Sequence, residues 1–130
     1  MTSIQPHPTD GELAILRVIW AHGPATVREV HEALSRSKDT AYTTVLKMLT
    51  IMAEKGLLTR DESERSHRYT AVHPEPMVQS ALLKDLMHRA FDNSALQLVQ
   101  RALDGNTASP EELDAIAGLI AQAKARRGKA

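Results

Sequence analysis

One helix-initiating pattern precedes an aliphatic run at three places in this sequence and constrains the fold more than any other feature. Each copy places a Ser or Thr three residues before a Glu, and the copies begin at Thr9, Thr26 and Ser109. In this pattern, a capping box, the hydroxyl accepts a hydrogen bond from a first-turn amide while the carboxylate binds the amide of the cap residue. Aliphatic residues recur at helical spacing after each copy. The sequence therefore predicts a mainly α-helical chain.

The composition restricts the core and the class of partner. Of the 130 residues, 42% are hydrophobic but only 3% are aromatic, so the core must be built from aliphatic side chains and Met. These residues suit helices better than a β-sandwich, and the length suits one domain or two small ones. The absence of cysteine excludes disulfides, thiolate zinc sites and cysteine nucleophiles. Lys and Arg together number 16, as do Asp and Glu, so any contact with nucleic acid must depend on a local basic patch.

The first 72 residues read as three helices followed by a two-stranded hairpin. Gly23 and Pro24 end the first helix, because Pro lacks an amide and restricts the residue before it. Gly56 ends the third, because glycine tolerates the left-handed conformation that follows a helix. This order is typical of a winged helix-turn-helix. The predicted elements are a first helix from Thr9 to about residue 21, a second over residues 26–34, a third from its N-cap Thr40 to Lys55, and strands over residues 57–61 and 67–72.

The remainder of the chain reads as a helical dimerisation region. Residues 73–76 (His-Pro-Glu-Pro) interrupt the pattern, so we place the domain boundary between residues 72 and 73. Three helices follow: residues 77–91, a helix capped by Asn93 or Ser94, and a final helix whose first residue is Pro110. So few residues bury little apolar surface alone, and a second copy would supply the missing core. The residues expected at that interface are Leu82, Leu86, Leu96, Val99, Leu113, Ile116 and Ile120.

The third helix has two chemically different faces. Its inner stripe is apolar and carries Val45, Met48, Leu49 and Met52. Its outer stripe is short, hydroxylated and barely charged, as a helix entering a major groove about 12 Å wide needs to be. A solvated helix face explains the same composition equally well. The outer residues are Thr40, Thr43, Thr44, Lys47 and Thr50, with Tyr42 as a further hydroxyl donor.

The hairpin adds cations that could bind the DNA backbone on either side of this helix. They are interleaved with Asp61, Glu62 and Glu64, so an ordinary charge-balanced surface is the competing interpretation. Together with the order of helices and strands, the cationic patch favours a DNA-binding surface over an ordinary charge-balanced one. The cationic residues are Arg60, Arg65, His67 and Arg68.

Catalytic and metal-binding patterns are lacking in the sequence. None of the six histidines has a two-ligand spacing such as His-Glu-x-x-His, and there is no Gly-x-Ser-x-Gly elbow or Gly-rich phosphate loop. We therefore expect no enzymatic activity, no cofactor and no metal. No apolar run approaches the roughly 20 residues that span a bilayer, and residues 1–9 do not form a signal peptide, so we expect a cytoplasmic protein without membrane insertion.

Three strings in the sequence resemble the penicillinase repressor family, the BlaI/MecI/CopY type. They are residues 26–34 (TVREVHEAL), 41–46 (AYTTVL) and 54–60 (EKGLLTR), followed by Arg68-Tyr69. The resemblance begins near Leu13 and continues more faintly to Leu103. It implies a winged-helix repressor that dimerises through its C-terminal helices and binds dyad-symmetric operators in double-stranded DNA. The positions it implies at or beside the DNA are Thr40, Tyr42, Thr43, Thr44 and Lys47 in the recognition helix, and Arg65 and Arg68 in the wing.

The chain also departs from the family pattern. Many relatives have Arg-Leu where this chain has Ile51-Met52, which argues against a DNA contact from position 51. The copper-responsive branch uses cysteines, which this chain lacks. The β-lactam-responsive branch is inactivated when a membrane metalloprotease cuts the C-terminal domain, at an Asn-Phe bond in some members, whereas residues 96–100 here read LQLVQ. The resemblance therefore leaves open whether repression is relieved by proteolysis and whether a membrane metalloprotease sensor is a partner.

Another class of function fits the same scaffold. A winged-helix domain can act as a protein-interaction adaptor, with the outer face of the third helix binding a peptide. Salt separates the two hypotheses, because binding through several phosphates weakens steeply with ionic strength while an apolar peptide groove responds little.

Overall fold

The computed structural model describes residues 7–128 of the chain. Clustering of contacts divides the chain into two compact units between Leu83 and Lys84. Within the described residues the chain forms six helices and three short strands. They are α1 (Asp10–His22), β1 (Ala25–Thr26), α2 (Val27–Ser35), α3 (Tyr42–Glu54), β2 (Leu58–Asp61), β3 (Arg68–Ala71), α4 (Glu75–Ala90), α5 (Ala95–Asp104) and α6 (Pro110–Gly128).

The capping boxes predicted for the first two helices are confirmed. The Thr9 hydroxyl accepts from the Glu12 amide at 3.2 Å, and the Thr9 amide donates to Glu12 Oε1 at 3.0 Å. In α2 the Glu29 amide donates to the Thr26 hydroxyl at 3.2 Å, and the Thr26 amide donates to Glu29 Oε1 at 2.8 Å. Each box satisfies two amides that would otherwise lack a partner.

The start of α3 differs from the prediction. The N-cap residue is Ala41 rather than Thr40, and the Ala41 carbonyl accepts the amides of Thr44 and Val45 at 3.1 and 3.2 Å. The Thr40 hydroxyl instead donates to the Lys38 carbonyl at 3.2 Å. Short hydroxyl side chains often bind nearby backbone in this way, in competition with helix capping. The N-cap of the third helix therefore lies one residue later than predicted, at an alanine, and the helix itself begins at Tyr42.

The end of α3 agrees with the prediction. Gly56 has φ +85°, the left-handed conformation that favours glycine. The Gly56 amide donates to the Ala53 carbonyl at 3.2 Å, and the Leu57 amide donates to the Met52 carbonyl at 2.9 Å. This pair of bonds is a Schellman motif, which ends the helix and turns the chain into β2.

The predicted hairpin is confirmed, and it belongs to a sheet with a third strand that the sequence did not reveal. β2 and β3 pair antiparallel, with Thr59 opposite Thr70 and Asp61 opposite Arg68. β1 pairs with the other edge of β3, so the strand order is β1-β3-β2. β1 has only two residues, too few to show the alternation that identifies a strand in a sequence.

One aliphatic core joins α1, α2, α3 and the sheet. α1 packs against α2 and β3, while α3 packs against α2 and β2. The core contains a single aromatic side chain, Tyr69 of β3, which is 2% exposed. Its other members are Ile15, Leu16, Ile19, Ala25, Val27, Val30, Val45, Leu49, Met52, Leu57 and Leu58.

α4 begins earlier than predicted, at Glu75 instead of residue 77. The Pro74 carbonyl accepts the amides of Met77 and Val78, and Pro76 lies in the first turn, where a residue without an amide loses no intrahelical bond. The residues after the N-terminal sheet therefore continue directly into this helix. The Trp20 indole donates to the His73 carbonyl at 3.0 Å, which ties this segment to α1.

The last two helices begin where the sequence predicts. The hydroxyl of Ser94, one of the two predicted caps, accepts from the Gln97 amide at 3.1 Å. The hydroxyl of Ser109 accepts from the Glu112 amide at 3.1 Å, and Pro110 is the first residue of α6. Both caps follow the local pattern, in which a hydroxyl satisfies an amide of the first turn.

A half-buried ion pair, in which the Lys55 side chain keeps 32% of its surface exposed, joins the start of α1 to the end of α3. Glu12 is 5% exposed, and its Oε2 lies 2.7 Å from Lys55 Nζ while its Oε1 accepts the Thr9 amide. Burial raises the pKa of Glu12, but the bonds from Lys55 and from the Thr9 amide outweigh it, so the pKa is lower than usual. Glu12 therefore stabilises the fold above pH 4.5, and this contribution is lost as the pH falls through the lowered pKa.

We predict that Lys55→Met destabilises the protein by about 2 to 3 kcal/mol at pH 7, because a buried carboxylate loses its charged partner. Lys38→Met, at an exposed lysine, is the control and should change the free energy of unfolding little. Urea unfolding followed by circular dichroism measures both. Glu12→Gln should also reduce the loss of stability between pH 5 and pH 3, relative to the wild type, because it removes the carboxylate whose pKa is lowered in the fold. Equal stability of the two lysine variants would contradict a structural role for the pair.

Candidate nucleic-acid interface

α3 presents the outer face that the sequence predicts. Tyr42, Thr43, Thr44 and Lys47 are exposed, and Tyr42 retains 46% of its accessible surface. The inner residues Val45, Leu49 and Met52 are fully buried. The two stripes therefore lie on opposite sides of the helix, as the amphipathic pattern requires.

Two residues change the predicted chemistry of this face. Thr50 is half-buried, and its hydroxyl donates to the Leu46 carbonyl at 2.9 Å, so it binds its own helix. Leu46 is 42% exposed, although the sequence analysis did not include it in the outer face. An exposed aliphatic side chain among threonines is suited to contact with thymine methyl groups.

The turn before α3 is held by a side chain that the sequence analysis did not single out. His31 of α2 lies with Nε2 2.8 Å from the Thr40 carbonyl oxygen. Its ring also meets Tyr42 in a T-shaped contact, with 5.6 Å between the ring centroids and 71° between the planes. Thr40 is half-buried in this turn, in contrast to the exposed residues that follow it.

The two predicted wing arginines have different environments. Arg65 is exposed in the loop between β2 and β3. Arg68, on β3, has Nη1 3.5 Å from Glu29 Oε1 and Nε 4.0 Å from Glu64 Oε1. The Thr26 amide, then His22 and Arg68, lower the pKa of Glu29, which is thus a charged partner for Arg68. The sequence predicts neither of these contacts across elements.

The acidic residues of the hairpin bind within the hairpin itself. Glu62 Oε2 lies 3.3 Å from Arg60 Nη2, and Asp61 Oδ1 accepts the Ser63 amide at 2.9 Å. That amide lowers the pKa of Asp61. These pairs are exposed and contribute little to stability, but they offset the charge of Arg60. The charge of Arg60 is thus compensated within the hairpin, whereas Arg65 is exposed in the loop.

The C-terminal residues expected at a dimer interface are largely exposed in the single chain. Across the described residues of α5 and α6, no side chain is buried. Leu82 and Ile116 are half-buried. Leu83, Leu103 and Leu119 are further exposed aliphatics that the predicted interface did not contain. The exposed members of the predicted set, at 39 to 77%, are Leu86, Leu96, Val99, Leu113 and Ile120.

Features of two other kinds of site are absent from residues 7–128. That part of the chain contains no group of three or more His, Asp or Glu side chains placed to hold a metal ion. It also contains no helix long and apolar enough to cross a membrane. Several histidines have polar partners: His22 Nε2 lies 3.4 Å from Glu29 Oε2, His31 binds the Thr40 carbonyl, and His88 Nδ1 lies 3.5 Å from Asn93 Nδ2.

Comparison with known proteins gives relatives over nearly the whole chain. The family model described as penicillinase repressor matches residues 8–122. The transcriptional regulator BlaI of Mycobacterium tuberculosis is 34% identical over 125 residues, covering 92% of this chain and 86% of that protein. The penicillinase repressor of Bacillus licheniformis is 25% identical, covering 94% of this chain and 95% of that protein.

A solved structure matches the winged-helix part. It is the solution structure of the monomeric form of Bacillus licheniformis BlaI in complex with the blaP half-operator. The TM-score is 0.50 and the identity 32%, covering 58% of this chain and 90% of that chain. The predicted fold class, a winged helix-turn-helix in a mainly α-helical chain, is thereby confirmed. The chain belongs to the penicillinase repressor family, which is made up of transcriptional repressors and not of enzymes.

Proposed function

We propose that this repressor binds dyad-symmetric operator DNA as a homodimer. The observation that carries the proposal is the outer face of α3, where exposed threonines, Tyr42 and Lys47 stand opposite a fully buried apolar face. The related BlaI domain, solved on a half-operator, supports the same use of the winged helix, with one domain on each half-site.

In this proposal α3 enters the major groove and the hairpin flanks it. Phosphate contacts come from the first amides of α3, which have no intrahelical partner, and from Arg65 and Arg68 of the wing. Base edges are read by short side chains and by one long cation, Lys47. The proposed contacts of the recognition helix are Thr40, Tyr42, Thr43, Thr44 and Lys47.

Dimerisation is assigned to the C-terminal helices. Residues 1–72 act as the DNA-binding domain and residues 73–130 as the dimerisation domain, with α4 as the connection between the two functions. Support comes from the exposed aliphatic residues of α4, α5 and α6, and from the absence of buried side chains in the described parts of α5 and α6, because helices that bury nothing gain little stability as isolated elements. The proposed contacts are Leu82, Leu86, Leu96, Val99, Leu113, Ile116 and Ile120.

Relief of repression by proteolysis fits this arrangement under one condition. The segment that corresponds to the cleavage site of some relatives, residues 96–100, lies within α5. A protease needs an extended substrate, so cleavage there requires local unfolding of α5. Within a single chain α5 buries no side chain, so it opens at small cost once the proposed dimer has dissociated. A membrane metalloprotease sensor is therefore a compatible partner for a repressor that resides in the cytoplasm.

We predict that Lys47→Ala weakens binding to a DNA duplex selected by the wild-type protein from a random-sequence pool. If Lys47 reads a base, the loss is about 1 to 3 kcal/mol and confined to the selected duplex; if it binds a phosphate, random DNA is affected equally and the salt dependence becomes shallower. Fluorescence anisotropy at several salt concentrations separates the two. Lys84→Ala, on α4, is the control. Binding to a peptide with little salt dependence, and to no DNA, would favour the adaptor function instead.

We predict that Ile120→Asp raises the dissociation constant of the dimer about 100-fold or more, because an unpaired charge would be buried at the interface. Gln122→Asp adds the same charge at a polar position about 200° further around the helix and should change dimerisation little. Sedimentation equilibrium over a concentration series measures both constants. A wild type that is monomeric at all concentrations, or an unaffected Ile120→Asp dimer, would contradict the assignment.

We predict that affinity depends on the spacing of two half-sites. A chain with zero net charge attracts DNA weakly without sequence contacts, so tight binding requires both domains of a dimer. Affinity should peak near one helical turn, about 10 base pairs between centres, or a multiple of it. Duplexes whose spacer grows by single base pairs test this, with a fragment ending at Leu83, which retains the buried Val78, as control. If the intact protein binds with the same affinity at every spacing, simultaneous binding of both half-sites by one dimer is contradicted.

A further inference from the structure

α3 starts without the hydroxyl cap that four of the six described helices have; α4, which follows Pro74, lacks it too. α1, α2, α5 and α6 each follow a Thr or Ser whose hydroxyl accepts a first-turn amide. α3 follows Ala41, whose methyl side chain cannot accept a hydrogen bond. Replacing a hydroxyl cap by Ala costs a helix about 1 kcal/mol. Another interaction must therefore hold the start of α3 in place.

The structure assigns this role to His31: we propose that it is a positioning residue for DNA recognition, which holds the start of α3 through Thr40 and Tyr42. The proposal rests on the proposed function, in which α3 reads DNA. His31 is half-buried on α2 and is not among the residues expected to touch DNA. It acts through the turn that connects the two helices of the helix-turn-helix.

The hydrogen bond from His31 to the Thr40 carbonyl determines which ring nitrogen of His31 must carry a proton. A backbone carbonyl can only accept, so His31 Nε2, 2.8 Å from the Thr40 oxygen, must carry a proton. Both the neutral Nε2–H tautomer and the imidazolium satisfy this condition. The bond links two residues nine positions apart and fixes the carbonyl directly before the N-cap of α3.

The contact between the two aromatic rings holds Tyr42, which lies two residues after Thr40. The His31 and Tyr42 rings are 5.6 Å apart and inclined by 71°, the edge-to-face arrangement that aromatic pairs prefer. Tyr42 is the first residue of α3 and 46% of its surface is exposed. One side chain on α2 thus fixes the backbone before α3 and the first side chain within it.

This arrangement suits a helix whose N-terminus meets DNA. A Ser or Thr cap would occupy a first-turn amide of α3, whereas support from His31 at the side leaves those amides available for a phosphate. Reading bases requires that Thr43 and Thr44 keep a fixed position, because side chains of this length cannot adjust over large distances. Loss of His31 should therefore reduce specific binding more than nonspecific binding.

Two variants separate the two contacts of His31. His31→Phe keeps an aromatic ring against Tyr42 but removes the donor to Thr40, and we expect about five- to tenfold weaker binding to the duplex selected by the wild type. His31→Gln keeps an N–H donor of similar reach and should recover part of this loss. Binding to random DNA should change less than about twofold in both variants, because phosphate contacts carry it.

A control distinguishes positioning from general loss of stability. Val30→Ala, at a fully buried neighbour on α2, removes core packing without touching Thr40 or Tyr42. It should lower the melting temperature more than His31→Phe does, yet bind the selected duplex within about twofold of the wild type at a temperature where both variants are folded. Equal losses of affinity in Val30→Ala and His31→Phe would overturn the proposal.

Hydrogen exchange gives a readout that does not involve DNA. The amides of Thr44 and Val45 bind the Ala41 carbonyl in the first turn of α3. They should exchange about five- to tenfold faster in His31→Phe than in the wild type, with the amides at the end of α3 unchanged. Unchanged exchange at Thr44 and Val45 would overturn the proposal.

The outcomes also separate this proposal from the proposed function. A wild-type protein that enriches no duplex from the random pool would overturn DNA recognition by α3, and the role of His31 with it. A wild type that enriches a duplex, together with a His31→Phe variant that binds it equally well, would overturn the role of His31 alone.

Discussion

Burial of the inner face of α3 determines what this protein can present to DNA. Val45, Leu49 and Met52 are fully buried against the core, so the helix cannot rotate without exposing one of them. Exposing such a side chain would cost about 1.5 to 3 kcal/mol. A rotation by one residue, 100°, would also move Lys47 out of the outer face. The orientation of the recognition surface is thus a consequence of core packing.

The ends of α3 are held by interactions from its neighbours. The Glu12–Lys55 pair lies just beyond its C-terminus, where Lys55 is the C-cap residue, and ties it to the start of α1. His31 holds the turn before its N-terminus. The Schellman motif at Gly56 sends the chain directly into β2. The helix therefore has a defined position as well as a defined rotation, which base recognition requires.

The two halves of the chain distribute their apolar residues differently. The winged helix buries most of its aliphatic side chains in one core, and its exposed residues are mostly hydroxylated or charged, with Leu46 and Ile51 among the exceptions. In the described parts of α5 and α6, by contrast, no side chain is buried, although both helices have Leu or Ile at helical spacing. Aliphatic stripes of this kind gain stability only when another surface covers them. A second copy of the chain provides that surface in the proposed dimer.

The sequence alone determined the features that depend on residues a few positions apart. The capping boxes at Thr9 and Thr26 and the end of α3 at Gly56 require only a cap or turn residue and its nearest neighbours. The amphipathic pattern of α3 likewise depends on spacing within one helix, so both of its faces were predicted. The hairpin followed from a polar stretch between two short extended segments.

The tertiary structure decided the features that join distant residues. β1 exists because Ala25 lies opposite Tyr69, and Arg68 pairs with Glu29 across 39 positions. The competing hydrogen bond of Thr40 to Lys38 moved the start of α3 to Ala41, and His31 reached Thr40 only once α2 and the turn were in place. Local patterns state what each segment prefers, but the partners of a side chain depend on which segments the core brings together.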